Sequence, residues 1–193
     1  MPALRALLAT SLAALVLLSN AHAAGDPRTA ELLAAQARAM APLAVFDGIW
    51  RGSATVTLPD GKTLQLTQTE RVGSMLDGTL KVIEGRGYLP DGSLSFNAFG
   101  VISFSPQTGK YTMRSHAQGY AGEFPLQVRP DGFTWSIPAG PATLRYTATV
   151  RDGVWTEIGE RLVDGKPPVR SFEMTLRRIG DTDWPAGSAV GPK

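Results

Sequence analysis

The chain carries six Asp-Gly pairs: Asp60-Gly61, Asp77-Gly78, Asp91-Gly92, Asp131-Gly132, Asp152-Gly153 and Asp164-Gly165. Each lies between runs in which apolar and polar residues alternate. Asp-Gly suits the positive-φ positions of a two-residue hairpin turn, and a period of two is the period of a half-buried strand. In the first run Trp50, Ala54, Val56 and Leu58 fall on one side, with Arg51, Ser53, Thr55 and Thr57 on the other. From Ile49 to Ile179 the pattern predicts about nine or ten short strands, each joined to the next by a tight turn. A meander of that length tends to curl and close, because closure pairs the two exposed edges. The expected fold is therefore all-β: an antiparallel up-and-down β-barrel of about nine or ten strands with one N-terminal helix. An open sandwich is the alternative.

The entry to the strands is Phe46-Asp47-Gly48-Ile49-Trp50-Arg51-Gly52. Trp50 is expected to plug the closed end, since an indole buries a large apolar area and still offers its N–H to a backbone acceptor. Ahead of it, Asp26-Pro27 reads as an N-cap followed by a first helical residue. Thr29 to Ala41 is rich in helix formers, with Leu33, Ala37 and Met40 on one face, and Pro42 ends the run. Such a helix covers a barrel end, or acts as a lid or partner surface.

Residues 1–23 have the layout of a secretory signal: Arg5, then the apolar stretch Ala6 to Leu18, then Ala21-His22-Ala23 as a small-x-small cleavage pattern. The apolar stretch is shorter than the roughly 20 residues that span a bilayer. The expected organisation is a signal peptide over 1–23, a helical segment over 24–45, the barrel over 46–179 and a loosely held tail over 180–193. The expected location is periplasmic or secreted, with no transmembrane segment after cleavage.

There is no Cys, and His116 is the one histidine beyond the leader. Disulfides, thiolate nucleophiles and Cys-ligated metals are thereby excluded. A net charge of +2 with interspersed signs gives no basic face, so no nucleic-acid partner is expected. No nucleophile elbow, phosphate loop or metal-ligand spacing occurs. No catalytic residue, metal ligand or cofactor is assigned, and His116 reads as a strand histidine on the polar face beside Arg114.

Gly48-Ile49-Trp50, Tyr111, Trp155-Thr156-Glu157 and Met174-Thr175-Leu176-Arg177-Arg178, together with the meander, resemble the calycin superfamily of lipocalins and fatty-acid-binding proteins. The nearest likeness is to bacterial exported proteins with a lipocalin-like barrel. The resemblance implies that Arg177 or Arg178 packs across Trp50 as a cation–π contact and bonds nearby carbonyls, a structural role. It also implies an interior able to hold a small hydrophobic or amphipathic molecule. Haem-binding barrels of similar build use a proximal histidine, and His116 is not in a late strand.

The polar residues in phase with apolar neighbours are the candidates for the interior. Glu84 and Arg86 share a face with Leu80, Val82 and Tyr88. If that face is inward, Arg86 would meet a ligand carboxylate and Glu84 would orient it; otherwise both stand in water at the rim. Tyr111, Tyr146 and Glu157 complete the set. Three functions stay open: a small-molecule binder, a solid barrel that serves as a structural or interaction protein, and an isomerase or cyclase using converging Glu and Tyr groups.

Overall fold

A computed structural model describes residues 26–185. The leader expected over residues 1–23 and the end of the tail, 186–193, lie outside the described residues. Asp26 caps helix α1 (Pro27–Met40) by accepting from the Arg28 backbone N–H at 3.1 Å. Among the described residues, 26–34 fall in one compact unit; the unit that begins at Ala35 holds the end of α1 and all the strands. After α1 the chain tightens into a 3-10 helix over Ala41–Phe46, with Pro42 in its first turn, where a missing N–H costs nothing.

Ten strands follow: β1 (Gly48–Thr57), β2 (Thr63–Met75), β3 (Leu80–Tyr88), β4 (Leu94–Ser105), β5 (Lys110–Ala117), β6 (Tyr120–Arg129), β7 (Gly132–Ala139), β8 (Ala142–Arg151), β9 (Val154–Val163) and β10 (Val169–Gly180). Each pairs antiparallel with the next, and β1 pairs with β10, so the sheet is a closed barrel. This is the lipocalin-like, calycin type of architecture. All six Asp-Gly pairs lie at hairpin links, and Asp152 (φ 50°) with Gly153 (φ 70°) shows the double positive-φ turn that such a pair favours.

The two ends of the barrel differ. Met40, Leu43 and Phe46 bring the 3-10 helix into the end where β1 begins, and all three are buried. Trp50 is 1% exposed there, and its Nε1–H donates to the Phe46 carbonyl at 2.7 Å. Trp155 meets Trp50 and Phe46 edge to face at centroid distances of 5.7 and 4.8 Å. Val72, Ile102, Leu126, Phe133, Ala148 and Leu176 complete this core from six other strands. Lys81, 2% exposed, also points into this end and is neutralised by Asp47 at 2.5 Å, with Ser74 accepting at 2.8 Å.

Arg178 pairs with Trp50 in register, and its Nε donates to the Asp47 carbonyl at 3.1 Å while Nη2 meets Asp181 at 2.6 Å. The carbonyl bond is the expected one, and it falls to Arg178. Arg177, one residue out of phase, is exposed. The expected cation–π stack on Trp50 does not form: Trp50 meets the Trp155 ring instead. The cation–π pair among the described residues is Arg71 over Trp184, at 5.5 Å. Trp184 also meets Phe99 and lies over Gly73, where a Cβ would come within 2.8 Å of it. Trp184 thus lies against the outside of β2 and β4.

Candidate ligand-binding cavity

The half of the barrel away from Trp50 encloses a cavity of about 540 Å³. Its mouth is formed by residues at the far ends of the strands, among them Val56, Leu64, Phe96, Ile137 and Leu144. Its floor is Trp155, Phe133 and Met174, the upper surface of the packed core.

One wall is an aromatic ladder. Trp135 stacks on Tyr146 at 5.0 Å and 24°, Tyr146 meets Phe172 edge to face at 6.1 Å, and Phe124 supports Trp135 at 5.8 Å. Tyr146 and Phe172 sit on strands separated by β9 and reach each other because Gly159 stands between them in register. A Cβ on Gly159 would lie 2.8 Å from both side chains.

The opposite wall carries acid. In β2 the inward residues are Leu64, Leu66, Gln68, Glu70 and Val72, so a run that starts apolar at the mouth turns polar as it descends. Glu70 is 9% exposed, and its Oε1 accepts from the Gln68 amide at 2.7 Å. Its carboxylate lies over Gly85 of β3, where a Cβ would come within 2.7 Å of Oε1. Glu157, the inward residue after Trp155 on β9, faces the same space. Burial pushes the Glu157 carboxyl up to about 7, against a smaller opposing pull from the indole N–H groups of Trp135 and Trp155. Burial raises Glu70 as well; the Gln68 amide opposes that, while the charges of Glu157 and Glu84 add to it. The Tyr146 hydroxyl is raised too, first by burial and then by Glu157. The Trp155 N–H, though close to Glu157, is buried without a partner at hydrogen-bonding geometry.

Of the residues picked out from sequence, Tyr146 and Glu157 are in the cavity wall. Tyr111 is inward but low: its hydroxyl donates to the Ala39 carbonyl at 2.8 Å and its ring packs on Phe104, so it ties the end of α1 to the barrel instead of facing the chamber. Glu84 and Arg86 are not interior. The inward phase of β3 is Lys81, Ile83, Gly85 and Gly87, which puts Glu84 and Arg86 on the outer surface, bonded to each other at 2.6 Å. The reason is volume: the two glycines make room for Glu70, Gln68 and Leu66, and a reversed phase would force Glu84 and Arg86 into that space. His116 is exposed on the outer face of β5. Glu160 and Glu173 also face out, paired with Arg145 and Arg170. Glu70, Gln68 and Trp135 are the cavity groups that sequence reasoning missed.

A closed ten-strand antiparallel barrel with a packed floor and an inner chamber defines a lipocalin-like protein in the structural sense. Among solved structures, the chain is similar to Rv2717c from M. tuberculosis, at a TM-score of 0.56 and 11% identity, over 73% of this chain and 97% of that one. It is also similar to the S-type phycobiliprotein lyase CPES from Guillardia theta, at a TM-score of 0.50 and 9% identity, over 78% and 98%. At such identities the likeness is one of fold. No family model matches the sequence, and no curated protein does.

Proposed function

We propose that this protein is an exported lipocalin-like binder that holds one small hydrophobic or amphipathic molecule inside its barrel. The observation that carries this reading is the chamber of about 540 Å³, with apolar mouth residues above an acidic, aromatic interior. That volume is within the roughly 300–1,000 Å³ of small-molecule sites, and a mainly apolar lining with a few convergent polar groups is their usual chemistry. A barrel that served only as a rigid surface would gain stability by filling this space with side chains. One of the fold neighbours is a phycobiliprotein lyase, so a barrel of this architecture can carry a chemical role rather than a purely structural one.

Export is the part of the reading that rests on residues 1–23. The outer face of the barrel suits water: Arg114–Glu123, Arg151–Asp131 and Arg145–Glu160 pair across neighbouring strands on it. Charges of that kind are costly on a lipid-facing barrel wall. Native mass spectrometry of protein purified from its own host tests both parts. The expected spectrum shows a chain that begins after Ala23 and carries a reproducible small adduct lost on denaturation. A chain that retains residues 1–23 contradicts export, and a bare mass at every preparation contradicts a resident ligand.

A further inference from the structure

We propose that the chamber selects molecules whose polar end is a cationic amine, seated head-down between Glu70 and Glu157, and that it discriminates against carboxylates such as free fatty acids. The inference rests on the barrel-binding reading above and adds the chemical class of the guest.

Three features of the interior lead there. First, the charged side chains in the cavity wall are both acidic; among the described residues Glu70 and Glu157 line it, and no Lys, Arg or His does. Lys81, the one other inward charge in the barrel among the described residues, is below the floor and already satisfied by Asp47 and Ser74. A carboxylate guest would therefore add a third acid to a low-dielectric space that offers it no cation. Second, the two acids are deep. Glu157 adjoins Trp155 of the floor, and Glu70 is three inward positions below the mouth residue Leu64, so a polar head reaches them only if the apolar tail trails toward the mouth. The lining has that order, with Leu64, Phe96, Ile137 and Phe172 above. Third, the Trp155 N–H is a buried donor without a partner beside Glu157. An ionised Glu157 is a stronger acceptor for it than the neutral acid, and the ionised state is the one an adjacent ammonium group favours.

The titratable groups that face this space are Glu70, Glu157 and Tyr146. Burial holds both carboxyls toward the neutral form in the empty chamber. Binding of a protonated amine then follows a balanced step: the carboxylic acid and the ammonium give a carboxylate–ammonium pair, and the acid proton leaves to solvent. Proton release on binding distinguishes this mode from simple apolar burial.

The test displaces N-phenyl-1-naphthylamine, a neutral apolar fluorophore at this pH, from the full-length processed protein at pH 7 with decylamine, decanol and decanoate. The expected result is displacement by decylamine at a concentration at least about tenfold below that of decanoate, with decanol between them. Calorimetry of decylamine in buffers of different ionisation enthalpy should show net proton release. In the Glu70→Gln/Glu157→Gln double variant the amine preference should fall to within about threefold while the fluorophore still binds. If the wild type binds the fluorophore but takes decanoate as well as or better than decylamine, the amine inference is overturned and the binding reading stands. If neither the fluorophore nor any alkyl probe binds, both fall.

Discussion

Glu157→Gln should reduce the pH dependence of stability between pH 5 and pH 8 by the share that Glu157 contributes, leaving that of Glu70. The Glu157 carboxyl has an ordinary value near 4.5, and the folded barrel raises it to about 7. The folded state therefore holds a proton that the unfolded chain has already lost. Well below 4.5, near pH 3, both states are protonated and there is no penalty. The penalty grows as pH rises toward 7 and is constant above it. Its full size is about 3 kcal/mol, from the standard conversion of a pKa difference into free energy. Glutamine keeps the shape and carries no charge at any pH, so the variant should exceed the wild type by about 1 kcal/mol or less at pH 5 and by about 3 kcal/mol at pH 8. With a urea slope of about 2 kcal/mol per molar, the midpoints should part by about 1.5 M. Urea unfolding followed by tryptophan fluorescence, repeated from pH 5 to pH 9, reads this directly. Asp60, Asp91 and Asp131 are shifted down by their hydrogen bonds, so they act in the acid range, outside this window. Glu70 is raised like Glu157 and should leave a residual slope of the same sign in the variant. Parallel curves for the two proteins, or a wild type whose stability climbs from pH 5 to pH 8, would refute a buried Glu157.

Gly52→Ala should strike the seam that closes the barrel: its Cβ would lie 2.0 Å from the Thr175 backbone oxygen of β10. A loss of about 1–3 kcal/mol or more in urea unfolding is expected, and an unchanged midpoint would argue against the β1–β10 pairing. Trp50→Phe keeps most of the plug but strands the buried Phe46 carbonyl that accepts its N–H. It should cost about 1–3 kcal/mol by the same assay, and a change within about 0.5 kcal/mol would count against that bond. Arg86→Ala should move stability by no more than about 0.5 kcal/mol and leave N-phenyl-1-naphthylamine binding within twofold, because Arg86 stands on the outer face. A large loss of binding in that variant would restore Arg86 to the interior.

The architecture was legible because its two signals are local. Asp-Gly turns set where the chain reverses, and period-two alternation marks each strand, so the strand count and closure follow with little tertiary information. Trp50 as the plug followed from its position at the first strand. The phase of β3 was not legible from β3 alone. Leu80 and Val82 look like a core face, yet they face outward, with Val82 buried and paired with Gly73, the residue that Trp184 overlies. The inward face is Lys81-Ile83-Gly85-Gly87, whose lysine and glycines carry no hydrophobic mark. Glycine in a strand is a sign of close approach, and here the approaching group is Glu70. Glu70 itself had a readable signal: continuing Leu64 and Leu66 by twos arrives at Gln68 and Glu70 before Val72. Arg178 rather than Arg177 was set by the irregular register at Ile49 and Trp50, a feature that alternation does not reveal.

The central claim is a hollow barrel open at the end opposite Trp50, and filling it is the most direct test. Ala98 lines the chamber on β4, beside Gly85 in register. The wild type should bind N-phenyl-1-naphthylamine at one site per chain, and Ala98→Trp should abolish that binding while its far-ultraviolet circular dichroism stays that of the wild-type barrel. Equal binding by both proteins, at the same stoichiometry, would mean that the molecule goes somewhere other than the chamber.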